Sequence, residues 1–132
     1  MKVILDTNIF ISGLFWKGDS YKILMLWKDK KFQLVTSKEI IDEIIRVLKD
    51  FKIRLPDDIL KELINLIIKN SIFVKPKERF NVSIDKGDNK FIDAAFEANA
   101  DYIISQDKDL LNLKEFKNIK IINPKEFLRS IS

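Results

Sequence analysis

Apolar positions follow two rhythms along this chain. Short runs at residues 2–5, 32–35, 71–74, 102–105 and 120–122 are rich in Val, Ile and Phe and have the length of strands buried on both faces. Between them, apolar residues recur every three or four positions. This predicts helices over 9–16, 21–28, 38–51, 56–70, 88–99 and 124–131, with a short helical turn at 108–113. Local punctuation supports these limits: Lys17-Gly18-Asp19-Ser20 separates the first two helices, and Thr36 stands three residues before Glu39, as in a capping box. Pro56-Asp57-Asp58 opens the next helix with residues suited to a first turn, and residues 75–86 are polar and loop-like.

Strands alternating with helices predict an α/β fold, a parallel-stranded doubly wound sheet with helices on both faces, and a helical hairpin around residues 37–70. With 132 residues, the chain fits one domain, 1–132, on a usual size of roughly 100 to 200 residues. In such sheets ligands gather beyond the carboxyl ends of the strands, near the point where strand order reverses. Acids at strand ends are therefore the residues to weigh.

Composition narrows the chemistry. The sequence has no Cys and no His, which excludes disulfides, thiol nucleophiles, zinc sites built from Cys or His, and every Ser-His or Cys-His arrangement. Catalysis would have to run on carboxylates, hydroxyls, amides, Lys or Arg. Lys and Arg number 24 against 20 Asp and Glu, a formal charge of +4; this favours a polyanionic partner, and a Lys-rich solvated surface explains it equally well. The opening apolar run meets the charge of Asp6 too soon for a leader peptide or for a membrane span of about 20 residues. A soluble, cytoplasmic protein without membrane contact is expected.

Two of the predicted strands run into Asp6 and Asp107 at or just beyond their carboxyl ends. Taken singly, such an Asp is as well explained as a turn residue or helix cap. On the helix over 38–51, residues Ile40, Ile41, Ile44, Ile45, Val47, Leu48 and Phe51 form one apolar stripe, and Glu43 falls about 40° beyond its Val47 edge. Asp42 and Glu39 lie farther round, toward water. On the helix over 88–99, Asp88 falls within the apolar arc, where an N-cap role competes with an inward one, while Asp93 lies about 60° outside and reads as a solvated acid. Should Asp6, Glu43, Asp88 and Asp107 converge, their like charges demand a cation or sharply raised pKa values. Hard oxygen ligands without His or Cys select Mg²⁺ or Mn²⁺, which suits phosphodiester hydrolysis.

These pieces together resemble the PIN-domain ribonucleases of the VapC-like toxin type. The resemblance rests on Val3-Ile4-Leu5-Asp6-Thr7-Asn8, on Thr36-Ser37 before the helix that carries Glu43, on Asp88-Asn89-Lys90-Phe91, and on Ala100-Asp101-Tyr102-Ile103-Ile104-Ser105-Gln106-Asp107-Lys108-Asp109-Leu110. It implies that Asp6, Glu43, Asp88 and Asp107 are the catalytic, metal-binding acids. It further implies that Asn8 and Ser105 hold carboxylates or water beside them, and that Asp109 is a cap or an outer acid. Two departures stand out: Gly87 occupies a position where related sequences often have another acid, and Ser105-Gln106 replaces the commoner Thr-Gly or Thr-Arg. The implied activity is hydrolysis of RNA with Mg²⁺ or Mn²⁺. The implied partners are an RNA substrate, an antitoxin protein and a second copy of the chain or more.

Lys17, Lys90 and Lys108 flank the proposed site in sequence and are expected to steer an RNA backbone by charge, although Lys is common enough here to be ordinary surface. Phe15-Trp16 is expected to pack in the core rather than to stack on a base. Two other functions compete. One is a non-catalytic PIN-like module that binds RNA or protein. The other is an Asp-dependent phosphoryl-transfer domain of the receiver or haloacid-dehalogenase kind; the dehalogenase pattern wants a second Asp two residues after the first, here Asn8, and a receiver an acid pair beside its first strand, also absent.

Overall fold

The computed structural model describes residues 1–131. Its elements are β1 (Lys2–Leu5), α1 (Thr7–Phe15), α2 (Asp19–Lys28), β2 (Gln33–Ser37), α3 (Lys38–Lys49), α4 (Asp57–Lys69) and β3 (Ser71–Val74), followed by a 3₁₀ turn (Lys86–Asp88). Then come α5 (Asn89–Ala98), β4 (Tyr102–Ile104), α6 (Lys108–Leu111), β5 (Glu115–Phe116), β6 (Ile119–Ile122) and α7 (Pro124–Ile131). The six strands form one sheet in the order β3-β2-β1-β4-β6-β5, parallel throughout except where β5 runs against β6. The chain steps outward from β1 to β2 and β3, then returns to β4 on the other flank of β1 and steps out again. Strand order thus reverses between β1 and β4, as an α/β sheet with a terminal crevice requires.

Burial explains the arrangement. Val3, Ile4 and Leu5 are closed off on both faces, as are Ile103 and Ile104, so β1 and β4 are inner strands. Helix α5 lies against β1, β2, β3 and β4, while α1 packs on α2 and α3, and α2 meets α7. Phe127 of α7 sets its ring edge-on against Phe32 and Tyr102 at centroid distances of 5.4 and 5.8 Å. Gly13 makes the α1–α2 contact possible, because a Cβ there would come 2.6 Å from Leu24 Cδ1 and 2.9 Å from the Ser20 carbonyl oxygen. No helix among the described residues is long and apolar enough to cross a membrane.

Several local expectations need correction. The cap of α3 is Ser37, whose hydroxyl accepts the Ile40 N–H at 3.4 Å; Thr36 belongs to β2, and Glu39 pairs with Arg79, so no capping box forms. Pro56 sits at the N-cap of α4 instead of in its first turn. The β5–β6 hairpin was not expected: its turn uses Lys117 and Asn118, both at positive φ (47° and 71°), without a glycine to announce it. Phe15 packs against the core, but Trp16 ends α1 in extended conformation, is 56% exposed, and rests edge-on against Phe51.

Candidate metal centre

The reversal between β1 and β4 brings two strand ends together. Asp6 follows Leu5, and its N–H donates to the Ile104 carbonyl at 3.0 Å, so its backbone is fixed by the sheet. Ser105 follows β4 and serves both acids: its hydroxyl donates to Asp6 Oδ2 at 2.6 Å and accepts the Asp107 N–H at 2.9 Å. Asp107 also caps α6, where Oδ1 accepts the Asp109 N–H at 2.8 Å. The cap reading of Asp107 therefore holds alongside its place in the cluster.

Asp88 arrives from the 3₁₀ turn that leads into α5. That turn is capped by Asp85, whose Oδ1 accepts the Gly87 N–H at 2.9 Å, so Asp88 is released from capping and makes no side-chain cap bond of its own. One oxygen each from Asp6, Asp88 and Asp107 lies within 4.8 Å of the others. Asp6 and Asp88 are buried and Asp107 is half-buried.

Such proximity is costly without a counter-charge. Burial first, then the neighbouring Asp107, Asp6 and Asp85, push the Asp88 carboxyl up to about 8. Asp6 is also raised, by burial and by the charges of Glu43 and Asp107, against the lowering influence of the Ser105 hydroxyl and the Asn8 N–H. Asp88 Oδ2 is buried with no hydrogen-bond partner among the described residues. Three carboxylates within reach of one another, one of them with an unpartnered buried oxygen, are a donor set for a hard divalent cation, so the residues fit Mg²⁺ or Mn²⁺.

Glu43 stands beside this group and outside it. One of its oxygens accepts from the Thr7 hydroxyl and the other from the Lys90 ammonium, with the Arg46 guanidinium 3.5 Å away. Of the four acids singled out from sequence, three meet and the fourth is tied to basic groups. Lys90 was expected on the surface to steer RNA; its side chain is 18% exposed and held by Glu43, while Lys17 and Lys108 are exposed. Asn8 is exposed and reaches Asp6 through its backbone N–H, and Asp109 reaches Asp107 through its own.

Asp93, expected in solvent, is only 5% exposed. It accepts the Phe80 N–H at 2.8 Å and pairs with Arg79 at 3.4 Å, and Arg79 also reaches Glu39 at 3.0 Å. Residues 75–85 have folded over that side of α5, with the Phe80 ring against Phe96 and Phe116 and with Asn89 Oδ1 accepting the Val82 and Ser83 N–H groups. Thr7 and Asp93 were both missed. A hydroxyl directly after the first acid was the available signal for Thr7; for Asp93 no periodic pattern in the covering segment could have warned of it.

A family model described as PIN domain matches residues 2–109, a span that includes Asp6, Glu43, Asp88 and Asp107. The chain is also 37% identical over 145 aligned positions to an uncharacterized protein of Methanocaldococcus jannaschii, with 97% of this chain and 90% of that protein covered.

Proposed function

Because the chain belongs to the PIN-domain family, we propose that it is a metal-dependent endoribonuclease that hydrolyses RNA phosphodiester bonds at Asp6, Asp88 and Asp107, acting as the toxin of a toxin-antitoxin pair. The observation that carries this reading is the convergence of three carboxylates, one with a buried oxygen that no protein group satisfies. Mg²⁺ or Mn²⁺, when bound by these acids, supplies the Lewis acidity that activates water and polarises a phosphoryl oxygen.

The chain's own residues do the rest. Ser105 fixes the Asp6 carboxylate and the Asp107 backbone at once, so two ligands keep one relative geometry. Burial and the neighbouring acids favour a proton on the Asp88 carboxyl in the metal-free protein, a proton that a bound cation would displace. Exposed Lys17 and Lys108 supply counter-charge to an RNA backbone, so RNA binding weakens as salt rises. Ile59, Leu66 and Ile68 on α4 leave apolar surface for self-association or for an antitoxin protein. A cytoplasmic setting goes with this role.

The test is Mn²⁺ binding and RNA cleavage by the native chain and by Asp6→Asn, which keeps the shape and removes the charge. Metal-dependent cleavage that is lost in Asp6→Asn supports the reading. Cleavage unchanged in that variant overturns the site, and RNA bound but never cut under any divalent ion favours a non-catalytic binding module.

A further inference from the structure

Glu43 and Lys90 form a pair that the three-Asp cluster does not use. Both Glu43 oxygens are engaged, by the Thr7 hydroxyl and by the Lys90 ammonium, and each side chain of the Glu43–Lys90 pair is 18% exposed. In so poorly hydrated a position, either charge without its partner is expensive, which ties the two together. Lys90 sits two residues after Asp88, with its ammonium 5.4 Å from the centre of the Phe91 ring, so the segment that delivers one ligand acid also delivers the cation. Gly87 contributes by what it lacks. A Cβ at that position would lie 4.0 Å from Lys90 Nζ, so an acidic side chain there would stand beside the ammonium and compete with Glu43 for it.

Resting on the metal-site reading above, we infer that Lys90 is a positioning residue that limits the protein ligands of the ion to Asp6, Asp88 and Asp107 by holding Glu43 on Thr7. The physical benefit is charge. Three carboxylates already exceed a dication by one, and a fourth would repel the phosphodiester that has to approach. Neutralised by Lys90, Glu43 adds no net charge, and coordination positions stay open for water and substrate.

The test measures Mn²⁺ binding calorimetrically to the full chain carrying Glu43→Gln, Lys90→Met, Lys90→Arg, the double change Lys90→Met with Glu43→Gln, or Asp88→Asn. Asp88→Asn should weaken binding by at least about tenfold, whereas Glu43→Gln and Lys90→Arg should stay at the native affinity. Lys90→Met leaves Glu43 with the Thr7 hydroxyl and with Arg46, which is 67% exposed and screened by water, so its charge is no longer neutralised at close range and binding should tighten by roughly tenfold or admit a second ion; the double variant should return to native behaviour. A Lys90 that served only as packing would lower the melting temperature and leave Mn²⁺ affinity and stoichiometry alone. The assignment is overturned by Glu43→Gln weakening binding as much as Asp88→Asn, by Lys90→Met leaving Mn²⁺ binding unchanged, or by the native chain binding no Mn²⁺. RNA cleavage scored in parallel separates the two proposals: Mn²⁺ bound without cleavage defeats the nuclease reading and leaves Lys90 to the binding data, while intact cleavage with Mn²⁺ affinity lost in Glu43→Gln defeats the Lys90 assignment.

Discussion

Asp88 and Asp93 lie on successive turns of one helical segment, both are buried, and they are opposite cases. Asp93 is fully met by protein: the Phe80 N–H and the Arg79 guanidinium converge on it, and Arg79 is anchored in turn by Glu39. Asp88 has two more carboxylates for neighbours and an oxygen without a partner. Burial alone therefore does not distinguish an acid satisfied by the fold from one left open to an outside cation. What distinguishes them is whether the fold itself supplies the compensating positive charge or leaves it to be brought from outside.

The sharpest way to break that contrast is to neutralise each acid in turn. Asp88→Asn should lower metal-dependent RNA cleavage by about two to three orders of magnitude, while Asp93→Asn, once folded, should cleave at close to the native rate. Cleavage lost equally in both, with melting temperatures unchanged, would erase the distinction.

Stability should move the other way. Asp93→Ala strands the Phe80 N–H and releases Arg79, at a cost of about 1–3 kcal/mol in denaturant unfolding. Asp88→Asn removes a crowded like charge and should raise the melting temperature of the metal-free protein near pH 8.

The dependence on pH sharpens the same contrast. The Asp88 carboxyl titrates near 3.8 when unperturbed and is pushed up to about 8 in the fold, so between those values the folded chain binds more protons than the unfolded one. The stability of the metal-free protein should accordingly fall as pH rises through that window, Mn²⁺ should restore more of it at pH 8 than near pH 5, and Asp88→Asn should flatten the profile. Thermal melts across the window with and without Mn²⁺ read all three. The smallest effect belongs to Arg79→Ala, because its side chain is 57% exposed and water screens its pairs. A loss as large as that of Asp93→Ala would show that the guanidinium, not the Phe80 N–H, holds that acid.

The sheet was legible because its signals are local. Val3-Ile4-Leu5 and Ile103-Ile104 are unbroken apolar runs, and each leads directly or nearly so to an acid, which located Asp6 and Asp107 before any contact was known. Helical periodicity also turned Asp88 inward. It also set Glu43 near the core edge, where it lies, but gave no sign of its bond to a Lys 47 positions away, a pairing that no periodicity encodes. It failed at Asp93: the angle around α5 was right for solvent, and an irregular segment covers that side. Thr36 and Ser37 are adjacent hydroxyls, either able to cap, and it is the start of α3 at Lys38, one residue later than the capping-box pattern suggests, that gives the cap to Ser37.

The centre has an anchored wall and a detachable one. Asp6 continues an inner strand and Asp107 is pinned through Ser105, whereas Asp88 hangs at the far end of the irregular stretch 75–85, which is mostly open to solvent and closed onto α5 by Arg79, Phe80 and Asn89. Because that stretch is mostly open to solvent, limited proteolysis should reach it before the sheet, and the flank that carries Asp88 is where the cluster would loosen first.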